Sequence, residues 1–127
     1  MKGQLKLVSS EQGEMGLCKF GRALIEEWTF FRAVSGEKQE AVEAYKKNIR
    51  EIPASSTSVH VANPAVGYCV KVGGKIINVK EIPNQGEIGL CKFSDGSEID
   101  EWTLFYGPSD SDHLEFNKAL GITTSGN

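Results

Sequence analysis

The chain has 127 residues, of which 39% are hydrophobic and 24% are charged, as in an ordinary globular protein of one domain. Its net charge of -3 lacks the positive field that binding to nucleic acid or to an anionic membrane requires. No apolar run approaches the ~20 residues of a membrane span, and the first residues lack the apolar stretch of a signal peptide. We therefore expect one soluble body with no nucleic-acid partner and no transmembrane segment.

The two halves of the chain contain repeated sequences. Three segments of the first half return in the second half: GQLKLV (3–8) as GKIINV (74–79), QGEMGLCKF (12–20) as QGEIGLCKF (85–93), and IEEWTFF (25–31) as IDEWTLF (99–105). This similarity predicts an internal duplication in which each copy forms three short antiparallel strands.

The turn between the second and third strands predicts the register of each copy. Gly21-Arg22 fits a two-residue type II′ hairpin, and Ser94-Asp95-Gly96 fits a type I turn followed by a left-handed glycine. Both turns predict equivalent cross-strand pairs: Cys18 with Ile25, Met15 with Trp28, Cys91 with Ile99 and Ile88 with Trp102.

Strand alternation then separates two faces of each copy. The expected core face holds Met15, Leu17, Trp28, Phe30, Ile88, Leu90, Trp102 and Leu104. The opposite face, with Gly89, Cys91, Ile99, Glu101 and Phe105 in the second copy, is expected to be only partly covered.

A first helix is predicted over residues 36–48, capped by Ser35, with an apolar stripe at Ala41, Val42, Tyr45 and Ile49. Residues 51–58 read as a linker.

A second helix is predicted over residues 64–72, because Asn63-Pro64 provides a cap and an N-terminal proline and Gly73-Gly74 provides a stop. It is expected to bury Ala65, Val66, Cys69 and Val72. A third helix opens at Ser109, with Asp112 three residues on, and ends at Gly121.

The predicted fold is α+β: two three-stranded antiparallel β-meander units, related by duplication and packed with three short helices. Residues 1–50 form the first unit, 51–62 a linker, 63–121 the second unit and 122–127 a tail, all in one body. The first unit lacks an Asn-Pro helix of its own. Either the helix at 36–48 or a partner chain covers its apolar face, and a homodimer is left open.

Sequence elements of the second unit resemble those of a known family. In chain order they are Asn63-Pro64-Ala65, Gly73-Gly74, Gly89-Leu90-Cys91, Phe93-Ser94-Asp95-Gly96 and Asp100-Glu101-Trp102. Over residues 63–107 the chain is similar to the small bacterial envelope domain called domain of unknown function 333, whose members are often labelled haemolysins. The resemblance implies an envelope or secreted setting and says little about activity.

The cysteines Cys18, Cys69 and Cys91 are odd in number and lack a CxxC spacing, so we expect buried packing residues rather than a disulfide framework or metal ligands. Family members commonly carry further cysteines where this chain has Ile99 and the Gly107-Pro108 region. A cysteine facing isoleucine is an apolar pair, which favours a reducing, intracellular setting over the envelope.

Two glutamates are candidate binding residues. Glu27 is expected across from Gly16, and Glu101 across from Gly89, which leaves backbone accessible beside a carboxylate. In strands, however, glycine more often serves close packing between elements. The hairpin tips, with Arg22 and Asp95, complete this candidate partner-binding surface.

The sequence contains no recognisable set of catalytic residues. His60 and His113 are expected at the surface, and no pattern predicts a catalytic residue, a cofactor or a metal site. The sequence therefore favours a non-catalytic binding or structural module with a protein partner. The alternative is an inhibitor of a hydrolase, such as a protease or lysozyme, that inserts an exposed hairpin loop into its target.

Overall fold

The computed structural model of the protein describes residues 4–10, 13–48, 63–82 and 86–122. Its elements, in chain order, are β1 (Gln4–Ser10), β2 (Gly13–Phe20), β3 (Ala23–Glu26), α1 (Glu27–Val34), α2 (Glu40–Lys47), α3 (Pro64–Lys71), β4 (Lys75–Glu81), β5 (Glu87–Lys92), β6 (Glu98–Asp100), α4 (Glu101–Tyr106), a 3₁₀ turn (Ser111–His113) and α5 (Leu114–Leu120). The predicted linker at 51–62, together with Ile49 and His60, lies outside the described residues. None of the helices in the described part of the chain is long and apolar enough to cross a bilayer.

The six strands form one closed antiparallel barrel in the order β1-β2-β3-β6-β5-β4. The two predicted three-stranded units are therefore joined edge to edge in one sheet, rather than forming two sheets that pack face to face. This arrangement satisfies the backbone groups that the edges of each isolated unit would leave unpaired. The two units have the same order of strands and following helix, and their origin by duplication stays a prediction.

The predicted hairpin registers are confirmed. Cys18 pairs with Ile25, and Cys91 pairs with Ile99. The turn glycine Gly21 has a φ of 64°, in the left-handed region that its place in the first hairpin requires.

The predicted third strands are only half strands. After Glu26 and Asp100 the chain turns into helices α1 and α4, so Trp28 does not face Met15 across a ladder and Trp102 does not face Ile88. Met15 and Ile88 instead pair with β1 and β4, opposite Val8 and Val79 respectively. Trp28 is 55% exposed rather than part of the core.

Two acidic side chains cause this change from strand to helix. Glu26 accepts hydrogen bonds from the backbone N–H and the hydroxyl of Thr29, each at 2.8 Å. Asp100 accepts the same pair of hydrogen bonds from Thr103, each at 2.9 Å. These are N-caps, which satisfy donors that the first turn of a helix leaves free.

The capped threonines also join the two units. The backbone N–H of Leu24 donates to Thr103 Oγ1, and the backbone N–H of Glu98 donates to Thr29 Oγ1, both at 3.0 Å. A threonine hydroxyl of each unit thus accepts a backbone N–H at the edge of the other unit. These bonds add to the single ladder pair between β3 and β6.

The core has two layers. Inside the barrel lie Val8, Leu17, Val79 and Leu90, with Met15 and Ile88 packed against them. The second layer lies between the barrel and the helices and contains Phe20, Ile25, Tyr45, Cys91, Ile99, Leu104 and Phe116. The inward placement predicted for Met15, Leu17, Ile88 and Leu90 is confirmed. The prediction that the opposite face is only partly covered is wrong for Cys91 and Ile99, because helices bury both completely.

Helix α2 begins later than predicted. Ser35 does not cap it but ends α1, where its N–H donates to Phe31 O at 3.0 Å. The free N–H groups of α2 are satisfied from the β5–β6 turn, since Glu40 N donates to the Asp95 carboxylate and Ala41 N to the Ser97 hydroxyl. The predicted stripe of Ala41, Val42 and Tyr45 is buried.

Helix α3 is confirmed: Asn63 caps it by accepting from the N–H groups of Ala65 and Val66, and Gly73 follows it. The last predicted helix is split. Asp110, not Ser109, caps the 3₁₀ turn that precedes α5.

We predict that stability depends on pH through Asp100. Burial raises the pKa of this carboxyl to about 6, so the folded state holds the proton more tightly than the unfolded chain does. The resulting stabilisation is complete below about pH 4 and is lost as the pH rises through about 6, a change of roughly 3 kcal/mol. Asp100→Asn keeps an oxygen acceptor for Thr103 but does not titrate.

The measurement is urea unfolding of both proteins between about pH 4 and 7. The unfolding free energy of the wild type should fall more steeply over this interval than that of Asp100→Asn. Parallel pH profiles would contradict the prediction.

Candidate functional site

Both predicted glutamate–glycine pairs are neighbours in the structure. The glutamates reach the glycines from the first positions of helices, however, and not as cross-strand partners. Glu27 and Glu101 are the first residues of α1 and α4, and their side chains reach over β2 and β5. A Cβ on Gly16 would lie 2.6 Å from Glu27 Oε1, and a Cβ on Gly89 would lie 2.7 Å from Glu101 Oε1. Both glycines therefore make room for a carboxylate.

In the second unit, helix α3 covers the carboxylate. Asn63 Nδ2 donates to Glu101 Oε2 at 3.1 Å, while the amide oxygen of the same Asn63 caps α3. Glu101 is only 7% exposed, and its Oε1 has no hydrogen-bond partner within the described ranges. One asparagine thus both starts the helix and fastens it to the buried glutamate.

Two further contacts hold α3 in place. The rings of Tyr68 and Phe105 meet edge to face, with centroids 5.9 Å apart. Cys69 and Cys91 form a disulfide, with their Cα atoms 5.8 Å apart. The prediction that all three cysteines are unpaired packing residues is therefore wrong for these two.

The disulfide forms because α3 docks on the barrel with Cys69 next to Cys91. The spacing of the cysteines in the sequence does not reveal this docking. Cys91 faces Ile99 in its ladder as predicted, but its side chain points to the layer under α3, where Cys69 lies. Cys18 is the remaining free thiol. The argument from an apolar cysteine pair to a reducing setting consequently loses its basis.

In the first unit no described helix covers the corresponding residues. Glu27, Phe31 and Cys18 are of the same residue types as Glu101, Phe105 and Cys91, but Phe31 is 56% exposed, and Glu27 and Cys18 are only partly buried. On the neighbouring strand, Leu5 is 62% and Leu7 is 44% exposed. We call the set Leu5, Leu7, Cys18, Glu27 and Phe31 the open face.

The members of the open face are contiguous. Leu5 lies opposite Cys18 in the β1–β2 ladder, and Leu7 lies opposite Gly16. Leu5 Cδ1 and Glu27 Oε1 both come within 3 Å of the point that a Cβ on Gly16 would occupy, at 2.8 and 2.6 Å. Phe31 lies four residues after Glu27, on the same side of α1. Trp28 borders the face through an edge-to-face contact with Phe31.

The electrostatics of the open face disfavour a reactive thiol. Burial raises the pKa of Cys18, and the carboxylates of Glu27 and Glu26 raise it further. A nucleophilic cysteine needs the opposite environment, with positive charge that stabilises the thiolate. What the face can offer is apolar surface, an aromatic ring, a carboxylate acceptor and a protonated thiol.

The two hairpin-tip candidates are tied to helical segments of the same chain. Arg22 forms an ion pair with Asp112 in the 3₁₀ turn. Asp95 accepts the N–H of Glu40 at 2.7 Å. Burial raises the pKa of its carboxyl, but the hydrogen bonds that it accepts from Ser97 and Glu40 outweigh burial and lower the pKa.

His113 is buried, contrary to the prediction of a surface residue. Its Nδ1 lies 2.8 Å from Gly107 O and 3.2 Å from the hydroxyl of Tyr45, which donates to Asn117 Oδ1. Burial raises the pKa of Tyr45. These contacts tie α2 to the C-terminal segment.

Sequence reasoning did not single out Leu5, Leu7 or Phe31 as site residues. The sequence contained a signal for them. The first unit lacks an Asn-Pro helix, yet it keeps Cys18, Glu27 and Phe31, the residue types that such a helix would contact.

Part of the second unit is similar to a known family. Residues 60–108 match the family described as Domain of unknown function (DUF333), as the resemblance predicted. Relatives described as Uncharacterized protein YoaF, from Escherichia coli K12 and Shigella flexneri, are 43% identical over 47 residues, which is 37% of this chain and 54% of theirs.

The matched region spans about half the length of these curated relatives, at 54%. No solved structure matches the chain. The descriptions of the family and of these relatives name no activity, so they do not support the haemolysin label.

We predict that Cys69→Ala/Cys91→Ala lowers the unfolding free energy by about 3 kcal/mol, because the disulfide constrains a loop with a sequence separation of 22 residues in the unfolded chain. Cys18→Ala is the control, with a smaller effect. Under denaturing conditions, the unreduced wild type should titrate one thiol and the reduced protein three. Three thiols without reduction would contradict the assignment.

We also predict that Gly89 and Glu101 are energetically coupled. Gly89→Ala places a methyl group against the Glu101 carboxylate and should cost about 1–3 kcal/mol of stability. The same change should cost less in a Glu101→Ala background, which a double-mutant cycle by urea unfolding measures. Gly16→Ala is the matched control, with a smaller cost because Glu27 is free to move. Additive effects at Gly89 and Glu101 would contradict the coupling.

Proposed function

We propose that the protein is a non-catalytic protein-binding module and that its interaction site is the open face. The observation that carries this proposal is the difference between the units: Phe31 is 56% exposed on the first, while a helix contacts its counterpart Phe105 on the second. A contiguous apolar surface that includes an aromatic anchor is typical of protein interaction sites.

The composition of the face supports a protein partner over a small ligand. Leu5, Leu7 and Phe31 present a surface on a strand and a helix, whereas small molecules prefer concave pockets. Glu27 adds one hydrogen-bond acceptor, which would fix the orientation of a partner on an otherwise apolar surface. A purely structural role would not require leucine and phenylalanine side chains to be exposed.

The hydrolase-inhibitor alternative draws less support from the described residues. An inhibitory hairpin inserts its tip into a cleft, but here Arg22 is paired with Asp112 and Asp95 caps α2. Insertion of either tip would have to break these contacts first. The open face needs no such rearrangement.

The test is affinity capture with three forms of the protein: wild type, Leu5→Lys/Phe31→Lys, and the control Val70→Lys, which changes a valine that is 60% exposed on α3. A partner captured from the native extract is identified, purified and titrated by calorimetry. We expect wild type and Val70→Lys to bind it equally, and the double variant to bind at least about tenfold more weakly.

Circular dichroism first establishes that all three forms are folded. Equal affinity of the double variant for every captured protein would contradict the proposed function.

A further inference from the structure

We propose that the open face is the seat for an α-helix with the chemistry of α3, supplied by a partner polypeptide. Such a helix has an asparagine N-cap, an aromatic residue five positions later and a cysteine six positions later, as Asn63, Tyr68 and Cys69 are placed in α3. This inference rests on the proposed function and names the chemistry of its partner.

The seat of α3 in the second unit provides the template. Three residues of the barrel unit hold that helix: Glu101 accepts from the Asn63 amide, Phe105 contacts the Tyr68 ring and Cys91 is bonded to Cys69. A hydrogen-bond acceptor, an aromatic ring and a sulfur atom thus define the seat.

The first unit has the same three groups on the same elements. Glu27 is the first residue of α1 as Glu101 is of α4, and Phe31 follows Glu27 by four residues as Phe105 follows Glu101. Cys18 pairs with Ile25 as Cys91 pairs with Ile99.

The strand beside the seat also corresponds. Leu5 lies opposite Cys18, and Ile76 lies opposite Cys91, where it packs against the core under α3. Leu5 is 62% exposed because no described helix lies over it.

The negative charge of Glu27 restricts which N-cap residue the bound helix can have. The carboxylate of Glu27 accepts hydrogen bonds and repels a second carboxylate, so an asparagine N-cap fits where an aspartate N-cap would not. Both residues cap helices equally well, which makes the contact with Glu27 the discriminating one.

Two helices in the described part of this chain, α2 and α3, are already engaged. Helix α3 is held by its own disulfide and by the Asn63–Glu101 hydrogen bond. The N-terminus of α2 is bound to Asp95 and Ser97 in the β5–β6 turn. Among the described elements of the chain, neither of these helices can reach the open face without breaking its contacts, so we assign the seat to a partner polypeptide.

The test uses a synthetic peptide with the sequence of residues 61–74, VANPAVGYCVKVGG, acetylated and amidated. Its cysteine is activated as a mixed disulfide with thionitrobenzoate. The Cys18 thiolate attacks the peptide sulfur, the protein–peptide disulfide forms, thionitrobenzoate leaves as the coloured thiolate, and the Cys18 proton passes to the buffer. Absorbance gives the rate, and peptide mapping confirms Cys18 as the modified residue.

We expect the α3 peptide to react at least about tenfold faster than a scrambled peptide that carries the same activated cysteine. Phe31→Lys should abolish this advantage, and Val70→Lys should preserve it. A peptide with aspartate in place of asparagine should react about tenfold more slowly with wild type, and Glu27→Gln should remove most of that difference.

Equal rates for the native and scrambled peptides would overturn the proposal, because the thiol would then be merely accessible. Self-association of the wild type that Phe31→Lys abolishes would also overturn it, by assigning the face to a second copy of the chain. Failure of the peptide alone, with partner capture still sensitive to Leu5→Lys/Phe31→Lys, rejects the helix and leaves the proposed function standing.

Discussion

The hydrogen bonds that Thr29 and Thr103 exchange with the opposite unit allow two short meanders to close into one barrel. Strands β3 and β6 share one ladder pair, because each strand ends where an acidic residue must cap the following helix. Each threonine that donates to the capping carboxylate also accepts, at its hydroxyl oxygen, a backbone N–H of the other unit. We call this junction between β3 and β6 the seam. Helix capping and edge pairing are therefore one network, in which each bond depends on the others.

This network also positions the candidate site. Since Glu26 and Asp100 fix where α1 and α4 begin, the next residue of each helix, Glu27 or Glu101, is directed back over a strand at a glycine. A larger side chain at that glycine would displace the carboxylate. The position of the open face is thus set by the seam, although none of its residues belongs to the seam.

The sequence predicts the hairpins and helix α3 well, because turn glycines and the Asn-Pro cap act locally. It fails at α1 and α4, where Trp-Thr-Phe-Phe (28–31) and Trp-Thr-Leu-Phe (102–105) have the aromatic and β-branched composition of a strand. The cue in the second unit was Asp100, because aspartate is a favoured N-cap residue, whereas Glu26 at the equivalent position of the first unit is not of a favoured type. The Cys69–Cys91 disulfide could not be predicted, since it depends on how α3 docks on the barrel.

The energetics of the open face limit how tightly a helix from a separate polypeptide can bind there. Full burial of a leucine or a phenylalanine is worth about 1.5–3 kcal/mol, so covering Leu5 and Phe31, now 62% and 56% exposed, yields roughly 3 kcal/mol. Association itself costs at least about 4 kcal/mol. A helix of eight residues such as α3 is also marginal in isolation. Apolar burial alone therefore supports only a weak complex, and a lasting one depends on the further contacts that Glu27 and Cys18 offer.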